Sequence, residues 1–280
     1  MSTQPALSAV ASAAPWRETF LKHINSMSQA TFVLSTLHPL PAASESTTPS
    51  PAPAVAAAVV PRARTCICRG LWASLPANDK NPAPRNPAVW ESDLPVLTTD
   101  VRMEKAGELG VGGGPVEAVW WVEGPATQWR VRGTAWVLGP DVEGEEGVRA
   151  RETILGRMRR GAGEAAGEAG WSWKREVTAH FGNLSPIMRG TFRSPPPGTP
   201  VAIPPEDGFG LGQEVDDLDD EIARSNFRVV VIVPTEVDQV DLSDRSRPRR
   251  WLYTYRGRPF QTKQPGGEVI GDWEKVEVWP

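Results

Sequence analysis

The sequence predicts an antiparallel β-barrel with peripheral α-helices. Three observations carry that fold class. Many short runs alternate apolar and polar residues with the period of a strand. Helical spacing of apolar residues is confined to a few segments. Strand and helix patterns do not take turns in the βαβ rhythm of a doubly wound sheet.

The elements follow in chain order. "PWRETFLKHINSM" (15–27) reads as a short amphipathic helix, with Pro15 at its start and Trp16, Phe20, Leu21 and Ile24 at helical spacing. "ATFVLSTL" (30–37) reads as a strand. From 40 to 61 runs a tract of Pro, Ala, Ser and Thr whose one charge is Glu45, too polar and too poor in large side chains to build a core, and it is expected to be a flexible insertion. "RTCICRGLW" (64–72) resumes the strand pattern, and "NDKNPAPRNPA" (78–88) is loop by its Pro and Asn content. "DLPVLTTD" (93–100) is a further strand that leads into a helix start at "VRMEKAGEL". "VEAVWWVE" (116–123) and "TQWRVRGTAWVL" (127–138) flank Gly124-Pro125 and read as a hairpin. "ARETILGRMRR" (150–160) places Ile154, Leu155 and Met158 on one face and reads as a basic surface helix. Acidic residues fill six of the eight positions 214–221, inside a Gly- and Pro-rich stretch near 195–225 that reads as a solvated loop. "FRVVVIVPTEVDQVDL" (227–242) is a long strand whose continuous apolar run predicts burial on both faces. "RRWLYTYRG" (249–257) and "DWEKVEVWP" (272–280) complete the strands.

Composition narrows the function. The 280 residues suffice for one large domain or two small ones, and 40% hydrophobic with 23% charged residues is ordinary for a globular chain. A formal net charge of −4 speaks against a surface built for nucleic acid. No run of 18 apolar residues is available to span a membrane, and the first residues lack the basic and apolar regions of a signal peptide. Cys66 and Cys68 are the only cysteines; two residues apart on a strand, they share a face and read as buried thiols. His23, His38 and His180 have no ligand-like spacing, so no metal site is expected. G-x-G-x-x-G, P-loop, G-x-S-x-G and H-E-x-x-H patterns are absent, and no histidine stands beside a candidate nucleophile.

Polar residues embedded in strands stand out instead. Arg64 and Arg69 bracket one strand, and their odd spacing turns them to opposite faces. Thr98, Thr99 and Asp100 close the next, with Arg102 and Lys105 on the following turn. Gln128, Arg130 and Arg132 alternate along the hairpin, followed by Gly133. Arginine forks match phosphate bidentately, so such a wall suits an anion joined to a polar ring system. Solvent-facing sheet polarity with cross-strand charge pairs would use the same residues.

Five stretches in this order resemble the pyridoxamine 5′-phosphate oxidase-like FMN-binding split barrels, and most of all the branch of FMN-binding-domain proteins of mostly unassigned activity: "RTCICR", "LTTDVRMEK", "QWRVRG", "RRWLY" and the closing "WEKVEVWP". The resemblance runs from Pro15 to Pro280 outside the insertions. It implies FMN as cofactor and a homodimer with the flavin at its interface. Residue by residue it implies Arg64 at the phosphate, Thr98 and Thr99 at the flavin, Arg102 and Lys105 neutralising phosphate, and Gln128 at the ring edge, in trans. It also implies Arg250 as a further flavin contact, Ser185 as a small polar one, and Arg69 where true oxidases carry a substrate-binding lysine. Those oxidases have Arg-x-His shortly before the Arg-aromatic-Leu-Tyr stretch; here Ser246 and Pro248 stand there, which puts vitamin B6 oxidation in doubt. Glu104 stands where they have an arginine.

The expectation is therefore an N-terminal stretch over 1–14 without order and one FMN-binding split-barrel domain over 15–280, interrupted near 40–61, 78–88 and 195–225. It is expected to work in the cytoplasm as a flavin-dependent oxidoreductase on a small molecule, with no nucleic acid or membrane partner and no identifiable catalytic acid or base. The alternatives are an authentic pyridoxamine 5′-phosphate oxidase and a non-enzymatic barrel, haem-binding or without cofactor.

Overall fold

A computed structural model describes residues 12–40, 59–110, 112–161, 170–257, 259–262 and 264–280. Most of the 40–61 tract and of the first 14 residues lies outside them. The element order is α1 (Arg17–Asn25), β1 (Thr31–Pro39), β2 (Val59–Ile67), β3 (Trp90–Ser92), β4 (Val96–Asp100), α2 (Glu104–Leu109), β5 (Gly114–Val122), β6 (Thr127–Leu138), α3 (Val148–Leu155), β7 (Met158–Arg160), α4 (Trp173–Gly182), α5 (Pro186–Gly190), α6 (Glu221–Asn226), β8 (Phe227–Asp241), β9 (Arg249–Tyr255), β10 (Glu268–Ile270) and β11 (Trp273–Val278).

All strand pairs are antiparallel, and the fold is the split barrel that the alternating runs lead one to expect. β1 lies between β2 and β5, β5 pairs with β6, and β6 with β8. The free edge of β8 is divided: its first residues, Phe227–Val231, pair with β4, and Glu236–Asp241 pair with β9. Beyond β2 the chain closes the ring, because the Arg69 N–H donates to Val96 O at 2.7 Å and the Val96 N–H to Gly70 O at 3.0 Å. β9, β11 and β10 then extend the sheet outward from the divided edge.

The divided edge needs a bend in β8, and the sequence provides one. The β6–β8 register shifts between Arg132 and Gly133, where Gly133 faces Pro234 and Arg132 faces Glu236, leaving Thr235 as the extra residue. A bulge is where a central strand tolerates proline, which has no N–H to give the ladder. Opposite it only glycine fits: a Cβ on Gly133 would lie 2.1 Å from Val233 O.

Two cores share β8. Val230 and Ile232 face the barrel interior with Phe32, Leu34, Trp120 and Trp129. Val229, Val231 and Val233 face a second core built by α3, α4 and Trp72, Phe192 and Phe227. The expected two-faced burial of this strand is what the structure shows. α1 seals the first core: Phe20 meets Trp120 and Trp129 edge-on at 5.2 and 5.4 Å, and Trp16 meets Trp273 at 5.7 Å.

Several expectations shift. β2 begins at Val59, inside the Pro/Ala tract, because Val59–Pro61 pair with Leu37–Pro39. The basic helix expected over 150–160 stops at Leu155, and Met158–Arg160 instead form β7 against β3. Arg159 is consequently buried, donating to Asp93 at 2.7 Å and to Glu91 at 3.2 Å. Both connecting stretches are anchored. In 78–88, Asn81 and Asn86 donate to Ala179 O and Ser172 O, each at 2.9 Å. In 195–225, Val215 is buried and its N–H reaches Pro186 O at 3.1 Å. No helix among the described residues is long and apolar enough to cross a membrane.

Candidate functional site

The end of β2, the end of β4 and the start of α2 meet around a cavity of 240 Å³. Thr98 and Thr99 enter from β4, Arg69 from the residues that close the barrel, and Lys105 from α2. The opposite wall is apolar: Leu184, Met188, Phe192 and Pro197 from the chain around α5. Four of the nine sequence-predicted site residues thus line one cavity.

Its charge is unbalanced. The one carboxylate lining it, Asp100, is held by Arg102, whose Nε and Nη2 donate at 2.9 and 2.6 Å. Among the described residues neither Arg69 nor Lys105 has a carboxylate within ion-pair distance. The Lys105 ammonium donates to Met103 Sδ at 2.7 Å, and burial pushes its pKa below the ordinary lysine value. Burial likewise lowers the pKa of Arg69, whose Nε is shielded from solvent without a partner. Both cations are half-buried, and Lys105 feels the more distant carboxylates Asp100 and Glu108. Of the two cysteines read as buried thiols, Cys68 is buried in the barrel core, while Cys66 is half-buried, packs against that core and also lines the cavity. Burial raises both thiols, Cys68 to about 11, so neither is a ready thiolate.

Arg64 borders the cavity. Its Nη2 donates to Glu108 Oε2 at 2.7 Å and its Nη1 to the Thr36 hydroxyl, while His38 Nδ1 lies 2.9 Å from Glu108 Oε1. Burial opposes charge on Glu108, but hydrogen bonds from Thr36, His38 and Arg64 outweigh it and hold the carboxyl below its usual range. The alternation argument for Arg64 and Arg69 does not apply, because β2 ends at Ile67, between them. Ser185 caps α5, accepting from the Met188 N–H at 3.3 Å. Gln128 and Arg250 lie away from the cavity, on one cross-strand row with Trp121 and Val240. Arg250 is bound to Asp238 at 2.9 and 3.1 Å. Sequence reading missed Glu108 and the apolar wall. Ser172, with Trp173, Val177 and Phe181 four apart, was the available signal for α4, and Ser185-Pro186 for α5.

The split barrel thus carries a cavity where β2 meets β4, with Arg69 and Lys105 in its lining. Residues 13–139, a little under half of the chain, match the family model described as "Pyridoxamine 5'-phosphate oxidase, FMN-binding domain", and this stretch is similar to that family. No curated protein matches the chain. Among solved structures it is similar to a pyridoxamine 5′-phosphate oxidase-related, FMN binding protein from Nostoc punctiforme PCC 73102, at 20% identity and TM-score 0.54, covering 96% of this chain and 99% of that one. It is also similar to PhzG from Burkholderia lata 383, in complex with tetrahydrophenazine-1-carboxylic acid, at 13% identity and TM-score 0.41, covering 94% and 88%. At 20% identity, the likeness to the Nostoc protein shows the fold alone.

Proposed function

We propose that the protein binds FMN in the 240 Å³ cavity and works as a flavin-dependent oxidoreductase. The observation that carries this reading is the pair of cations without carboxylates, Arg69 and Lys105, inside the segment that matches an FMN-binding domain. The fit is chemical: a phosphate monoester supplies the charge that these two side chains lack, and Arg offers it a planar fork. Thr98 and Thr99 supply hydroxyl and backbone donors beside them. Arg64 and Arg102 add positive field from the rim while holding Glu108 and Asp100, and Ser185 fixes the α5 end of the wall. The bound flavin would supply the two-electron chemistry; the protein supplies position, charge and a dry apolar face.

We further propose that the barrel works as a homodimer, with Gln128 and Arg250 serving the partner's flavin. Their distance from the cavity within one chain, on a face that also exposes Trp121 and Val33, supports this. Two free thiols suit the reducing conditions of the cytoplasm. The absorbance spectrum of the purified protein tests the reading. Flavin bands are expected, and denaturation should release FMN rather than FAD, since no dinucleotide fingerprint is present. A haem spectrum, or no flavin uptake after incubation with FMN, would overturn it. Aerobic turnover of pyridoxamine 5′-phosphate to pyridoxal phosphate would instead make it an authentic oxidase of that vitamer, despite Ser246 and Pro248.

A further inference from the structure

A second cavity, of 320 Å³, shares no lining residue with the first. It lies between α4 and the anchored stretch that contains the 78–88 loop. Trp90 and Trp171 form apolar walls. Both indoles are held in place: the Arg160 guanidinium sits 4.5 Å from the Trp90 ring centroid, and Trp171 meets Trp173 edge-on at 5.2 Å.

Three charged side chains line this cavity. Glu91 is paired with Arg159 at 3.2 Å. Glu176 is 4% exposed and has no Arg or Lys within ion-pair distance among the described residues. It accepts from Asn86 Nδ2 at 2.8 Å and from the Ala73 N–H, it lies 3.9 Å from His180 Nε2, and burial raises its pKa above the ordinary carboxyl value. Ala73 holds that N–H with a φ of 59°, a left-handed conformation that an alanine rarely adopts. Arg85 gives one hydrogen bond to Leu75 O and has no carboxylate within ion-pair distance among the described residues. The cavity therefore offers one guanidinium outside any ion pair among the described residues, and two aromatic walls.

We propose that this second cavity binds a small aromatic monocarboxylate, its ring against Trp90 and Trp171 and its carboxylate on the Arg85 fork. Each part of the ligand follows from one part of the site. A single unpaired guanidinium matches a monoanion, and the fork matches the two oxygens of a carboxylate. Indole faces stack on aromatic rings better than on saturated ones.

The probe is 1-naphthoate, titrated calorimetrically into the full chain with and without saturating FMN. Saturable binding in both states is expected, stronger than for cyclohexanecarboxylate and absent for 1-naphthylmethylamine. Arg85→Gln, a change at an exposed side chain, should weaken naphthoate about 10-fold or more. Trp171→Leu should weaken it about 2- to 12-fold. No saturable heat, equal binding of the amine, or an unchanged affinity in Arg85→Gln would overturn the proposal. So would loss of binding in Arg69→Ala with Arg85→Gln unaffected, which would put the carboxylate in the first cavity. Because naphthoate is measured without flavin as well, a failure of FMN to bind leaves this test standing.

Discussion

At the scale of single residues, Arg64 within β2 and Arg69 just beyond it separate by what already holds them. Arg64 is spent on Glu108, a carboxylate whose side chain is 2% exposed. Arg69 faces the cavity with its Nε unpartnered. Removing each should therefore fail differently. Arg69→Ala or Lys105→Ala should lower FMN affinity about 10- to 150-fold, the range for a lost hydrogen bond to a charged group, with riboflavin little changed. Arg64→Ala should instead destabilise the fold by roughly 2–3 kcal/mol, less than for a fully buried pair because Arg64 is itself partly exposed. Glu108→Gln in that background should recover much of the loss. Flavin-fluorescence titration and denaturant melts of the four variants read both effects. Equal weakening of FMN and riboflavin in Arg69→Ala would place the phosphate elsewhere. The sequence pattern alone could not rank these two arginines, because what ranks them is Glu108, 44 residues away in the chain and brought in by α2.

At the scale of elements, the strands were legible and the helices only in part. β6 spans the 127–138 read from alternation, and β8 differs by one residue at its end, since a period of two over a dozen residues leaves little freedom. The end of α3 was not legible: apolar spacing continued to Met158, but pairing with β3 drew Met158–Arg160 into a strand. α4 was overlooked, and it carries His180, a fully buried ring stacked on Trp72 at 5.8 Å. Burial first, then the charges of Arg69 and Arg85, push the His180 pKa down from 6.5 to about 3. In the unfolded chain this ring protonates below about pH 6.5, whereas in the folded chain it stays neutral to about 3, so unfolding takes up a proton in that window. Stability should fall with acid there, by up to about 1.4 kcal/mol per pH unit from this group. Melts of wild type and His180→Gln between pH 6.5 and 4.5 check it: the wild-type slope should be the steeper, and equal slopes would refute the assignment.

At the scale of the whole molecule, the outer barrel face is the open question for assembly. Trp121 is half exposed there, in register with Gln128 and, across β8, with Arg250. If that face meets a second copy, Trp121→Glu should yield monomers by sedimentation and lose flavin in step, although the residue lies outside the cavity. A dimer that persists with flavin intact would move the interface elsewhere. Within one chain, β8 has a consequence for how the molecule opens. Its valines alternate between two cores, so neither core can be exposed to water without releasing the strand that organises the other. The backbone amides of Val229–Val233 should therefore be the last to exchange their hydrogens with solvent, at a rate set by global unfolding rather than by local fraying. One strand makes two cores a single cooperative unit.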